Sequence, residues 1–128
     1  FYAVPGIGAV LHTANPRLPD EHLIYTINHA GSRVLLFDRN MLAIVERIRE
    51  KIETVEQFIV LSDSERTPEG WSGYENAIAA NPQTYPWPEV PERTGAFLCY
   101  TSGTTGDPKG VLYSHRSVVL HALAGGLS

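Results

Sequence analysis

Tyr100-Thr101-Ser102-Gly103-Thr104-Thr105-Gly106-Asp107-Pro108-Lys109-Gly110 is the segment around which the rest of the chain is organised. One apolar run, Ala96–Cys99, leads into it, and a second, Val111–Tyr113, follows it. Short apolar runs bounded by turn residues are typical of buried strands. The pattern therefore predicts a hydroxyl-rich loop held at the end of a buried strand.

The composition of this loop suits a phosphate group. Gly103 and Gly106 allow positive φ angles and a close approach of the backbone to a ligand, and successive N–H groups can then form a concave anion site. Lys109 adds a positive charge that can reach a polyphosphate, and Pro108 favours an extended or turn geometry before it. The predicted phosphate-binding residues are Thr101, Ser102, Gly103, Thr104, Thr105, Gly106 and Lys109.

The loop differs from three other kinds of segment that it could be. A plain polar hairpin turn usually has two to five residues, whereas this polar segment runs from 101 to 109. A Walker A loop places Gly before its lysine and Ser or Thr after it, but Lys109 stands between Pro and Gly. A nucleophile elbow has Gly two residues to either side of its serine, but those positions around Ser102 hold Tyr and Thr. Ser102 is therefore predicted to be a phosphate donor, and no catalytic residue is assigned.

Composition narrows the class of protein. A formal net charge of −4 gives no basic footprint for nucleic acid, and a hydrophobic fraction of 43% is ordinary for a globular chain. Cys99 is the single cysteine, so no disulfide can form within the chain and a reducing, cytoplasmic location is expected. The sequence has no apolar run of about 18 residues, so no transmembrane helix is expected, and no signal peptide is visible. The spacing of the histidines does not indicate a metal site.

Hydrophobic periodicity predicts alternating strands and helices. Expected helices are a short one within Phe1–Ile7, then Leu18–Ala30, Met41–Ile52, Tyr74–Ala80 and His115–Leu123. Expected strands are Ala9–Thr13, Arg33–Asp38, Phe58–Leu61, Ala96–Tyr100 and Val111–Ser114. This order predicts an α/β fold with a mostly parallel sheet and flanking helices. Residues 1–128 are expected to form a single partial domain, in which the proline-rich segment from Pro82 to Pro91 is a surface connection and not a domain boundary.

Details of several segments are also predicted. Arg33–Asp38 is expected to be buried on both faces, Ser64–Gly73 to be a loop, and Asn15-Pro16 to shape a turn. His115 follows the loop by six residues, so it either lies near a bound nucleotide or simply begins a helix capped by Ser114.

The loop also carries a resemblance to a known family. Thr101–Gly110 resembles the phosphate-loop signature of the adenylate-forming enzymes, which include acyl-CoA synthetases, peptide-synthetase adenylation domains and luciferases. Gly8–Leu18 resembles the fatty-acyl-CoA synthetase branch. The resemblance implies that the chain is an internal part of the large N-terminal domain of such an enzyme.

The resemblance implies a function and its cofactors. Such enzymes use ATP and Mg²⁺ to convert a carboxylic acid into an acyl-adenylate and then transfer the acyl group to CoA. The loop would hold the β- and γ-phosphates of ATP. The adenine, ribose and hinge segments and the C-terminal lysine of the family are not found in this sequence, so the 128 residues alone are expected to be inactive.

The first hypothesis is a fatty-acid–CoA ligase whose partners are small-molecule substrates. Two alternative hypotheses remain open. The chain is either a nucleotide- or phosphate-binding module without catalysis, or part of an adenylate-forming enzyme with an acceptor other than CoA. Open strand edges and uncovered apolar faces in so short a chain also predict self-association.

Overall fold

The computed structural model describes residues 1–62, 67–101 and 106–126. The helices and strands in chain order are α1 Ala3–Gly6, β1 Leu11–Thr13, α2 Asp20–His29, β2 Val34–Asp38, α3 Leu42–Ile48, β3 Gln57–Leu61, β4 Ser72–Gly73, α4 Tyr74–Ala79, β5 Gly95–Thr101, β6 Lys109–Ser114 and α5 His115–Gly126. None of the helices in these ranges combines the length and the apolar character that a membrane crossing requires.

The chain divides into two compact units. The core unit is Asn15–Tyr85, and the loop unit combines Phe1–Ala14 with Pro86–Ser128. Each unit holds one three-stranded sheet, β2-β3-β4 in the core unit and β1-β5-β6 in the loop unit. That the whole chain forms a single domain therefore stays a prediction.

The predicted α/β class is confirmed, and most of the strand pairing is parallel. β2 pairs with β3 from Val34↔Gln57 to Asp38↔Leu61, and β3 pairs with β4, both in parallel. β1 pairs with β5 in parallel, and only β5 with β6 is antiparallel among the described strands. The strands within the described residues form two sheets, where the sequence predicts one.

The apolar core of the core unit forms where α2 and α3 cover its sheet. Helical spacing places Leu23 and Ile27 on one side of α2, where they pack with Ile48 and Ile52. A second buried cluster joins Phe37, Val45 and Val60. Burying a side chain of this kind contributes about 1.5–3 kcal/mol to folding, so these residues account for much of the unit's stability.

The ends of α2 follow from local chemistry. Asp20 and Glu21 lie in its first turn, where the helix dipole favours negative charge. Gly31 adopts a φ of +63° just after the helix, a conformation that glycine accepts without strain. The predicted Asn15-Pro16 turn is confirmed, since Asn15 Oδ1 accepts from Arg17 N at 3.0 Å and Asn15 O accepts from Leu18 N at 3.1 Å.

Two predictions in the core unit are wrong. β2 is buried on one face only, because Val34 and Leu36 on the other face are 46% and 44% exposed. The helix expected over Met41–Ile52 is α3 with a 3₁₀ turn at each end. The Asp38 side chain accepts from Asn40 N at 2.8 Å and shapes the first turn.

Side-chain hydrogen bonds hold the end of the second 3₁₀ turn, Arg49–Lys51. Hydrophobic periodicity does not predict these bonds. Asn28 Nδ2 donates to Lys51 O at 3.0 Å, and Asn28 Oδ1 accepts from Glu53 N at 2.9 Å. These bonds hold the backbone as it leaves the helix, while Ile52 becomes extended and buried.

The predicted loop over Ser64–Gly73 contains a short strand, β4, which pairs in parallel with β3; residues 63–66 lie outside the described ranges. Trp71 just before β4 packs edge-on against Phe37 at 5.4 Å between ring centroids, so it covers an edge of the core. The Arg49 guanidinium lies 4.6 Å from the centre of the Trp71 ring.

Candidate phosphate-binding loop

The candidate loop joins the two strands of an antiparallel hairpin. β5 and β6 pair from Gly95↔Ser114 to Thr101↔Lys109. Thr101 is the last residue of β5, Lys109 is the first residue of β6, and both are exposed. The strand register therefore brings two predicted phosphate-binding residues, Thr101 and Lys109, to directly opposed positions across the hairpin.

 

A hairpin connection and a phosphate-binding loop are compatible interpretations of this segment. The segment is a hairpin connection, but residues 102–108 make it longer than the usual two to five residues. Such length leaves room for a ligand-binding loop between two strands that fix its ends.

The described end of the loop contains a glycine in the left-handed backbone region. Gly106 adopts a φ of +96°, and an added Cβ there would meet no atom within 4 Å. The glycine is therefore required by its backbone conformation and not by crowding. Pro108 is buried between the exposed residues Asp107 and Lys109, which anchors the chain as it enters β6. Ser102, Gly103, Thr104 and Thr105 lie outside the described residues, so their assignment stays a prediction.

Two aromatic rings lie beside the base of the loop. Tyr100, which directly precedes Thr101, has its ring 5.1 Å from the His12 ring, with 55° between the planes. β1 brings His12 there, since its register with β5 pairs His12 with Leu98. Burial lowers the pKa of His12 below its ordinary value of 6.5, which favours the neutral ring at pH 7.

Sequence analysis did not predict the contact between the His12 and Tyr100 rings. The contact joins residues that are far apart in the chain, and it depends on the register between β1 and β5. A single sequence does not show that register. The only available signal was the position of each residue at the carboxyl end of a predicted strand.

His115 lies at the other end of β6 from the loop. β6 runs from Lys109 to Ser114, which spans about 17 Å at the usual rise per residue. His115 is the first residue of α5, which confirms the alternative prediction that it begins a helix. That it lies near a bound nucleotide stays a prediction. The predicted cap is also confirmed, because Ser114 Oγ accepts from Ser117 N at 3.2 Å. His115 Nε2 is buried without a hydrogen-bond partner.

The described residues contain no group of three or more His, Cys, Asp or Glu side chains that could hold a metal ion. Cys99 is half-buried, with its Sγ 3.6 Å from Thr13 Oγ1, and it is a free thiol.

Comparison with known proteins decides the family. The profile of the AMP-binding enzymes matches residues 1–126. The chain belongs to the AMP-binding enzyme family. This confirms the resemblance that the loop and the Gly8–Leu18 segment carry.

Individual members of the AMP-binding family agree with this assignment. A long-chain-fatty-acid–CoA ligase of Thermus thermophilus is 51% identical over 127 residues, which cover 99% of this chain and 23% of that protein. A 3-methylmercaptopropionyl-CoA ligase of Ruegeria pomeroyi is 48% identical over 126 residues, covering 95% of this chain and 23% of that protein.

A solved structure supports the fold. The anthranilate CoA ligase AuaEII, in complex with anthranoyl-AMP, superposes with a TM-score of 0.85 at 26% identity, covering 95% of this chain and 23% of that one. The chain thus spans about a quarter of the length of these AMP-binding relatives.

Proposed function

We propose that this chain is the phosphate-loop part of an ATP-dependent fatty-acid–CoA ligase, called the parent ligase below. The observation that supports this most directly is the opposed pair Thr101 and Lys109 at the exposed end of the hairpin, with Gly106 at positive φ between them. A hydroxyl, a cation and a permissive backbone thus meet at one loop, as binding of a polyphosphate requires.

The proposed chemistry uses the loop to stabilise a leaving group. An oxygen of the substrate carboxylate attacks the α-phosphorus of ATP, the bond from that phosphorus to the bridging oxygen breaks, and pyrophosphate leaves. Lys109 would offset the charge that develops on pyrophosphate, which is the main contribution that a protein makes to such transfers. Mg²⁺ would arrive with the nucleotide phosphates, as is common for this ion.

The choice of acid and acceptor rests on the relatives. Two of them are named as CoA ligases for a long-chain fatty acid and for a thioether acid, which favours CoA as acceptor and a fatty acid as substrate. The 128 residues alone are proposed to be inactive, and the parent ligase to act in the cytoplasm on ATP, fatty acid and CoA. The alternatives are a nucleotide-binding module without catalysis and an enzyme that passes the adenylate to another acceptor.

The test is acid-dependent exchange of pyrophosphate into ATP by the parent ligase. Lys109→Ala is expected to reduce this exchange about a hundredfold or more, as removal of a transition-state charge contact does. Lys51→Ala is the matched control, because Lys51 is exposed in the core unit and should leave the exchange unchanged. Unchanged exchange in Lys109→Ala would overturn the assignment of the loop. ATP binding by the parent ligase without any exchange would favour the non-catalytic module.

A further inference from the structure

The base of the loop is built around the ring of Tyr100. Tyr100 is paired with Gly110 across the hairpin, one step from the pair Thr101↔Lys109. A displacement of the Tyr100 ring would therefore shift the backbone next to Thr101 and Lys109, the two ends of the candidate loop.

Gly110 provides the space that this ring occupies. A Cβ added at Gly110 would lie 3.2 Å from Cζ and 3.3 Å from Cε1 of Tyr100. Contacts this close require the neighbouring ring to shift by a few tenths of an ångström. The absence of a side chain at 110 thus allows the Tyr100 ring to lie across β6.

His12 supports the same ring from the opposite strand. β6 and β1 flank β5 on its two sides, and the His12 ring lies 5.1 Å from the Tyr100 ring. Ring pairs at this spacing contribute about 0.5–1.5 kcal/mol beyond their burial. Both residues are half-buried, so the pair joins the packed sheet to the exposed loop.

We propose that His12, Tyr100 and Gly110 are positioning residues for the phosphate loop, which set where Thr101 and Lys109 stand relative to the ATP phosphates. This inference rests on the proposed function of the loop. It assigns the three residues no contact with the reacting atoms, and their effect passes through the ends of β5 and β6.

The experiment measures kcat and KM in the exchange assay with the parent ligase. Gly110→Ala and Tyr100→Ala are expected to raise the KM for ATP about tenfold, since misplacement of a binding group by 1 Å can cost up to about a hundredfold. The KM for the acid should stay unchanged. A merely structural role would instead lower the melting temperature and the active fraction without changing the KM for ATP.

Gly95→Ala is the matched control within the same hairpin. A Cβ at Gly95 would lie 2.9 Å from Leu112 Cδ1, so the crowding is similar, but Gly95 lies at the end of β5 away from the loop. This variant is expected to lose stability and keep the KM for ATP of the wild type. An equal rise in KM for Gly95→Ala would overturn the proposal.

His12 gives a second, independent arm if a Gly110 variant fails to fold. His12→Ala should raise the KM for ATP, and His12→Phe should restore it, because the ring contact and not the imidazole nitrogen is required. Absence of any exchange by the wild-type parent ligase would overturn the proposed function itself. Exchange by the wild type with an unchanged KM for ATP in His12→Ala and Tyr100→Ala would overturn this inference alone.

Discussion

The core unit and the loop unit differ in where their apolar side chains lie. The buried hydrophobic residues of the core unit are Leu23, Ile27, Phe37, Val45, Ile48, Ile52 and Val60, whereas in the described part of the loop unit Ala96 is the only one in the same class. Large apolar side chains of the loop unit are instead exposed on β6 and α5, including Leu112, Val119, Leu120 and Leu123. This difference indicates that the core unit provides most of the stability, while the loop unit carries the candidate phosphate-binding residues.

The largest expected effect tests the stability side of this comparison. Ile27 is 2% exposed in the core unit, so Ile27→Ala should lower the free energy of unfolding by about 2–5 kcal/mol. The measurement is urea unfolding of the 128-residue chain, followed by Trp71 fluorescence in a Trp87→Phe background.

Glu46→Ala, on the exposed face of α3, is the control and should stay within about 0.5 kcal/mol of the wild type. In the parent ligase, Ile27→Ala should leave the KM for ATP unchanged. A large rise in that KM would break the comparison, because it would make the loop depend on the core unit.

The second, smaller effect concerns the exposed face of the loop unit. Val119, Leu120 and Leu123 are more than half exposed, and they lie close together along helix α5. The isolated chain is therefore expected to self-associate, with a mass by light scattering above the 14.1 kDa of one chain. The double variant Leu120→Lys with Leu123→Lys should reduce the measured mass.

A matched variant adds the same charge elsewhere. Gln83→Lys with Thr84→Lys changes two exposed polar residues of the core unit and should leave the association unchanged. A monomeric wild-type chain would contradict the prediction, and equal effects of both double variants would attribute it to net charge alone.

The sequence predicted features that depend on near neighbours. The apolar spacing of Leu23 and Ile27 predicted α2, Ser114 predicted the start of α5, and the run from 96 to 100 predicted β5. Contacts between distant residues were not predictable. Asn28 meets Lys51 and Glu53 only after folding, and the division into two sheets depends on strand pairing that no local pattern contains.

The candidate site shows the same division. Residue type and order predicted Thr101, Gly106 and Lys109, because a phosphate loop needs hydroxyls, glycine and a cation close together in the chain. His12 was missed as a neighbour of Tyr100, since their contact requires β1 to pair with β5.

The most direct test of the central claim uses the two lysines of the chain, Lys51 in the core unit and Lys109 in the loop unit. Both are exposed, so each should react with an amine-acylating reagent in the parent ligase, and mass spectrometry can follow both in one sample. The account predicts that ATP with Mg²⁺ protects Lys109 from acylation and leaves Lys51 unaffected. Equal reactivity of Lys109 with and without ATP would contradict the claim that the loop holds the phosphates.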